Sequence, residues 1–443
     1  MPAWAPTSIW WHVYPLGFTG APRTIAEAHP APEPRLRRLG PWLDHLTELG
    51  ADGLLLGPVF RSETHGYDTV DHLEVDPRLG SDDDLRWLIA ACHERGIRIV
   101  LDGVFHHVGR GHPAFVDVLA NGRASRCADW FRIDWDTEGP DGFGYATFEG
   151  HGQLVALDHA QPAVVDLIVE VVEHWLAAGI DGWRLDAAYA VPPQVWRTVI
   201  DRVRLRFPDA WFLGEVIHGP YERWLTDGGL DAVTQYELWK AVWSAINDRN
   251  FFELAWALGR HRELLTFGAA MTFVGNHDVT RIASRIEDHR HLDHAGVLLL
   301  TLPGIPSIYA GDEYGFVGVK HDTPTGDDAV RPAFPDDPSQ LAADDGTRFD
   351  HHRRLTALRR ARPWLASGDL EVLQLTNRQL AYRVAGPRDA LIVLLNLDDE
   401  VAGFDEVGNA ADGGWTVLAA GGGDGGEPGI LPPHGWQVLG HER

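Results

Sequence analysis

The chain has 443 residues and a formal charge of −26, from 38 Lys and Arg against 64 Asp and Glu. That field repels nucleic acid and anionic membrane surfaces, so neither is an expected partner, and it leaves neutral substrates unopposed. Two cysteines, Cys92 and Cys127, form neither a metal spacing nor a disulfide framework. No apolar run of about 18 residues marks a membrane span. No basic-then-apolar leader opens the sequence. A soluble, cytoplasmic protein is therefore expected. The 18 Trp and 23 His suit a protein that handles flat apolar faces carrying hydroxyls, although the core is the expected place for most of the Trp.

Apolar strand-like runs alternate with helical periodicity through most of the chain, the pattern of parallel βα units. IWWHVYP (9–15) is the first strand. The segment 34–50 is helical and ends at Gly50, despite the internal Pro41. ADGLLLGPVF is the second strand, followed by the polar loop SETHGYDTVDH. Ser81 and three Asp then open a helix, with acids placed to suit its dipole. IRIVLDGVF is the third strand.

Residues 106–157 break the order with Gly, Pro and aromatic clusters and no sustained period. The 84 residues from Asp102 to Asp186 exceed the roughly 30 of one βα unit, so an inserted domain is expected here. PAVVDLIVEVVEHWLAAG resumes as a long helix. GIDGWRLD is strand four and AWFLGEV strand five, their acids 29 residues apart. DAVTQYEL is a fainter sixth strand, AAMTFVGNHD a seventh and PSIYAGDEYG an eighth.

Eight strands without a ninth favour a (β/α)8 TIM barrel, in the parts 1–105 and 158–368, with the insertion 106–157 after strand three. Residues 369–443 read as a C-terminal antiparallel β-sandwich. In that segment GGGDGGEPG (421–429) reads as a simple turn, because no helix follows it to bind phosphate.

Active sites of such barrels lie at the carboxyl ends of the strands. The residues expected there are Tyr67, Asp102, His106, His107, Arg184, Asp186, Glu215, His277 and Asp278. Three of these carboxylates, Asp186, Glu215 and Asp278, without a credible metal shell fit glycoside chemistry. A retaining mechanism pairs an ionised nucleophile with a protonated acid roughly 5–5.5 Å away. Arg184, two residues before Asp186 and on the same strand face, is expected to lower its pKa. Glu215, after FLG, is expected in apolar surroundings that suit an acid. Asp278 is the third group, with His107 and His277 as donors and Tyr67 as a stacking face. His107 and His277 could also be metal ligands, but their spacing matches no metal pattern.

DGVFHH, GWRLDAA, FLGEV and FVGNHD, with GYD before them and GIPSIYAGDE after, resemble the ordered motifs of the α-amylase superfamily (glycoside hydrolase family 13). The resemblance spans essentially the whole chain. It implies Asp186 as nucleophile, Glu215 as acid/base and Asp278 as transition-state stabiliser. It also implies Arg184, His107, His277 and Tyr67 around the attacked glucose, and Asp102 as a supporting group.

Within the superfamily, THGYDTVDHLEVDPRLG, WFRI, GNHDVTRI and GIPSIYAGDEYGF are similar to cyclomaltodextrinases, neopullulanases and maltogenic amylases. Asp327 and Arg331 match a pair that binds sugar beside the cleavage point there, and Asp68 is expected to reach the same region. That group's habit implies a homodimer.

The departures are specific. The extra N-terminal β domain of those relatives does not precede strand one. His106 stands in place of Asn, and Ile217 in place of a Trp after the acid/base. Ala156 and Ala190 replace an Asp and a His associated with calcium, which argues against that ion and leaves no metal or cofactor expected. The expectation is a retaining hydrolase of short or cyclic maltooligosaccharides, with a small cyclic α-1,4/α-1,6 tetrasaccharide as one candidate. A 4-α-glucanotransferase on the same scaffold and a non-catalytic sugar-binding barrel are the competing readings.

Overall fold

Eight parallel strands close into one barrel: β1 (Trp10–Val13), β2 (Gly53–Leu56), β3 (Arg98–Gly103), β4 (Gly182–Leu185), β5 (Trp211–Gly214), β6 (Ala232–Thr234), β7 (Ala269–Phe273) and β8 (Ile305–Tyr309). Each pairs with its neighbours in sequence, and β1 with β8 closes the ring. This is the TIM barrel expected from the alternating pattern. The computed structural model describes residues 1–29, 32–323, 325–341, 346–404, 414–422 and 426–441.

The helices follow from local chemistry. Ser81 caps Asp82–Glu94 by a reciprocal pair of bonds with Asp84. Pro41 does not interrupt a helix: Arg35–Leu39 is a 3-10 turn, and the α-helix Gly40–Leu49 starts with Pro41 in its first turn. Gly50 ends that helix at φ 88°, a left-handed cap that L side chains resist.

The floor of the barrel is aromatic. Trp10 and Trp211 stack at 5.0 Å and 6°, with Trp4 edge-on to both. Such stacking adds about 0.5–1.5 kcal/mol beyond burial. It needs glycine opposite: a Cβ on Gly53 would lie 2.5 Å from the Trp10 ring, and one on Gly182 would lie 2.3 Å from the Trp211 carbonyl oxygen. Seven of the 18 Trp are fully buried, so the core takes a large share of them, as expected.

Between β3 and the helix Pro162–Ala178, the insertion holds more regular structure than its sequence suggested. It contains the helix Pro113–Asn121 and a three-stranded antiparallel sheet of His107–Gly109, His151–Ala156 and Thr147–Phe148. These elements are too short to leave a visible period. The loop after β2 is likewise a hairpin, Phe60–Ser62 with Thr69–Val75.

The C-terminal segment forms a five-stranded antiparallel sheet, including Trp436–Gly440, which the sequence did not single out. One face of that sheet joins the barrel core through Leu380, Tyr382 and Val384. The other packs Ala381, Ile392 and Leu394 on a two-stranded ribbon bearing Ala402 and Leu431. Residues 423–425 of the Gly-rich turn lie outside the described residues.

Candidate active site

β3, β4 and β5 are neighbours, and their register sets the site. Arg184 pairs with Asp102 across β3–β4, and Leu185 with Gly214 across β4–β5. The ladder continues one step past the strand ends: the Asp186 amide donates to the Gly103 carbonyl at 3.0 Å, and the Glu215 amide donates to the Leu185 carbonyl at 2.9 Å. Asp186 and Glu215 therefore stand side by side at the carboxyl rim, both buried.

Arg184 ties three acids together. Its guanidinium contacts Asp102 at 2.6 and 2.8 Å, Glu215 at 2.6 Å and Asp186 at 3.1 Å. The expectation that Arg184 lowers the Asp186 pKa needs correcting: the strand neighbours take the shorter contacts, and burial prevails over the guanidinium. Burial, reinforced by Glu215, Asp102 and Asp278, outweighs Arg184 and holds the Asp186 carboxyl well above its usual range. Burial likewise raises Asp102 against the pull of Arg184.

The expected apolar setting of Glu215 is also not found. Its Oε1 accepts from the Tyr236 hydroxyl at 3.1 Å, and its Oε2 accepts from the Ala187 amide at 3.0 Å. Ala187 lies at φ 45°, ψ 37°, a left-handed conformation that costs an L residue about 1–2 kcal/mol. That bend follows the Asp186 carboxylate directly, and its amide is the one that holds Glu215.

Asp278 faces the pair from β7. Burial opposes its charge, but His277, Arg331 and Arg184 together outweigh burial and hold its carboxyl well below the usual range. Arg331 Nη2 reaches Asp278 at 2.9 Å and Asp327 at 3.0 Å, while its Nε donates to the His277 carbonyl at 2.9 Å. Asp327 and Arg331 are thus paired at the mouth, with Arg331 almost wholly enclosed and packed on the Tyr14 ring at 4.5 Å.

His277 is sandwiched between Tyr14 (5.7 Å, 14°) and Tyr67 (5.5 Å, 4°). Its Nε2 lies 3.0 Å from Asp278 and also contacts the Tyr67 hydroxyl. That hydroxyl donates to Asp102 at 3.0 Å. His107 Nε2 donates to the Tyr67 carbonyl at 3.1 Å, and burial pushes the His107 pKa down to about 3 and that of His106 to about 4. Both rings are neutral hydrogen-bonding groups rather than cations.

Asp68 turns its carboxylate to its own hairpin, beside His65, which also lies within electrostatic reach of Arg331, Asp327 and Asp278. The Asp68 carboxylate accepts from the Thr64 amide at 3.1 Å and the Thr64 hydroxyl at 2.7 Å, closing its own hairpin tip.

The family described as "Alpha amylase, catalytic domain" matches residues 36–367. A cyclomaltodextrinase from Bacillus sp. is 34% identical over 423 residues, covering 90% of this chain and 74% of that protein. The chain belongs to the α-amylase family. A maltogenic alpha-amylase from Bacillus acidopullulyticus is 30% identical, over 89% of this chain and 70% of its own length. The ligand-free cyclic alpha-maltosyl-(1-->6)-maltose hydrolase from Arthrobacter globiformis superposes with a TM-score of 0.84 at 26% identity, covering 100% of both chains. An α-amylase-family glycoside hydrolase is the activity this membership carries.

The two positions read against the family's calcium, Ala156 and Ala190, carry methyl side chains without oxygen. Among the described residues, one group brings metal-capable atoms within 4.8 Å: Asp288, His291 and His434. It lies between the barrel and the C-terminal sheet, and Arg290 and Arg249 already pair with Asp288 at 2.7 and 3.3 Å. That is a closed ionic network. Also among the described residues, no helix is long and apolar enough to cross a membrane.

Four residues of this site escaped sequence reasoning. His12 Nε2 faces His277 Nδ1 at 3.2 Å, and Tyr14 supports His277 and Arg331. Tyr236 holds Glu215, and Asn276 donates to the Tyr236 hydroxyl at 2.9 Å. Their positions at the ends of β1, β6 and β7 were the available signal.

Proposed function

We propose that the protein is a retaining hydrolase of α-1,4-glucosidic bonds in short or cyclic maltooligosaccharides, working through a covalent glycosyl-enzyme. Asp186 is the nucleophile, Glu215 the acid/base and Asp278 the group that favours the oxocarbenium-like transition state. Arg184, Tyr67, His107 and His277 surround the attacked glucose, and Asp102 supports them. Asp327 with Arg331 flanks the next sugar. The observation that carries this reading is the shared guanidinium of Arg184, which binds the Asp186 and Glu215 carboxylates from adjacent strands.

The mechanism needs a proton on Glu215 when a glycosidic oxygen is in place. Glu215 donates that proton to the leaving oxygen as Asp186 attacks the anomeric carbon. Ionised Glu215 then takes a proton from water, which displaces Asp186 and restores the starting state.

The likeness over both full chains to the cyclic maltosyl-maltose hydrolase makes a cyclic α-1,4/α-1,6 tetraglucoside the first ring to test. The domain division at 105/106, 157/158 and 368/369 is part of this proposal, with the insertion serving as one wall of the site. A cytoplasmic setting fits two free cysteines, Cys92 and Cys127. The homodimer rests on the habit of the cyclomaltodextrinase group.

Following products from maltotriose, cyclodextrins and the cyclic tetraglucoside by chromatography, with the first-formed anomer read by NMR, tests the reading. Maltose and glucose released as α-anomers support it. Early accumulation of chains longer than the substrate, or β-anomers, would overturn it.

A further inference from the structure

The hairpin of the insertion turns through Glu149 and Gly150, both left-handed at φ 48° and 84°. Just before the turn, Phe148 lies flat on the His107 ring (4.8 Å, 20°) and edge-on to His106 (5.3 Å, 64°). These contacts seat the hairpin on the β3 side of the mouth. Glu149 then reaches across to the β4 side, where its Oε1 accepts a hydrogen bond from the Tyr189 hydroxyl at 2.7 Å.

Tyr189 belongs to the chemistry by position. It lies three residues after Asp186, and its amide donates to the Glu215 carbonyl at 3.3 Å. Its ring rests against His218, three residues after Glu215, at 5.3 Å. Burial, then Glu149, then the charges of Glu215 and Asp186 raise the hydroxyl's pKa, so the side chain stands within electrostatic reach of both carboxylates.

The two sides of the mouth differ. Tyr14, Tyr67, His277 and Arg331 follow β1, β2, β7 and β8 and fill one side. Tyr189, Ile217 and His218 follow β4 and β5, on the opposite arc of the ring. On that second side Ile217 is 39% exposed and Tyr189 is half-buried, so both present surface to solvent.

We propose that Tyr189 is the platform for the leaving-group sugar and determines specificity there, and that Glu149 is a positioning residue that clasps its hydroxyl. This rests on the hydrolase reading above. A tyrosine ring offers its face to the C–H face of a glucosyl unit. Tied to Glu149, the ring is held at one angle, and the hairpin tip narrows that side of the entrance. Small or compact α-glucosyl leaving groups fit beneath the clasp, and bulky branched ones meet the hairpin.

The test compares maltotetraose, which has sugar on the leaving-group side, with α-maltosyl fluoride, which has none. In Tyr189→Ala the ratio of kcat/KM for maltotetraose to that for α-maltosyl fluoride falls about tenfold, mainly through KM. Glu149→Ala gives a smaller fall in the same ratio. Glu149→Gln, whose amide oxygen accepts the same bond, restores it. Turnover of the fluoride shows that each variant is folded. A ratio within about twofold of wild type in Tyr189→Ala overturns the platform. An unchanged ratio in Glu149→Ala overturns the clasp. A wild-type enzyme inert toward α-maltosyl fluoride would instead contradict the hydrolase reading itself.

Discussion

Arg184 holds Glu215 at 2.6 Å, closer than the 3.1 Å at which it holds Asp186. One guanidinium therefore couples the two carboxylates that must act in sequence, and it also anchors them to Asp102 from the third strand.

Glu215→Gln removes the transferable proton at similar size, and its single amide oxygen keeps one of the two accepting positions, the one facing Tyr236 and Arg184 or the one facing the Ala187 amide. Turnover of maltotriose falls by about 10²–10⁴-fold with little change in KM. Steady-state kinetics with product chromatography checks this, and near-wild-type turnover would remove Glu215 from its role.

Removing Arg184 leaves buried acids without their shared cation. Arg184→Met loses about 3–5 kcal/mol of stability at neutral pH by urea unfolding. The acids then take up protons in the folded state, so the loss shrinks as the pH is lowered toward 5. A loss independent of pH would argue against the charge network.

Two buried groups give pH dependences of opposite sign. Burial pushes the Asp312 carboxyl up to about 7 despite Arg281. Its contribution to stability is full below the unfolded value of about 3.9 and is lost as pH rises through 7, a change of about 4 kcal/mol. Burial pushes His261 down to about 4. Its contribution is full above the unfolded value of about 6.5 and is lost as pH falls through 4, a change of about 3 kcal/mol. Difference curves of unfolding free energy isolate each effect. Asp312→Asn gains on wild type as pH rises from 4 to 7, and His261→Gln gains on wild type as pH falls over the same window.

Gly53→Ala drives a Cβ into the Trp10 ring at the barrel floor. A destabilisation of about 1–3 kcal/mol is expected in urea. KM for maltotriose stays unchanged, since the floor lies at the opposite end of the strands from the carboxylates.

The barrel was legible because buried parallel strands read as apolar runs that end in polar residues. The sixth was faint because only Ala232–Thr234 pairs in it. Asp102, Arg184, Asp186, Glu215 and Asp278 were legible because each lies near the carboxyl end of such a run or just after it. The electrostatics were not. Arg184 and Asp186 are two apart in sequence, but the partners that take the shorter contacts come from neighbouring strands, 82 residues away for Asp102. Tyr236 and Asn276, 40 residues apart, support Glu215 in the same non-local way. The Asp68 bond is local instead: an acid four residues after Thr64 can satisfy its own turn, and here it does.

The central claim is that Asp186 becomes glycosylated while Glu215 activates leaving group and water. Glu215→Gln incubated with α-maltosyl fluoride, whose departure needs no acid, should accumulate the intermediate. Quenching, proteolysis and mass spectrometry are then expected to find a maltosyl group on the peptide carrying Asp186. Fluoride release with no adduct, or an adduct on a different residue, would contradict the account.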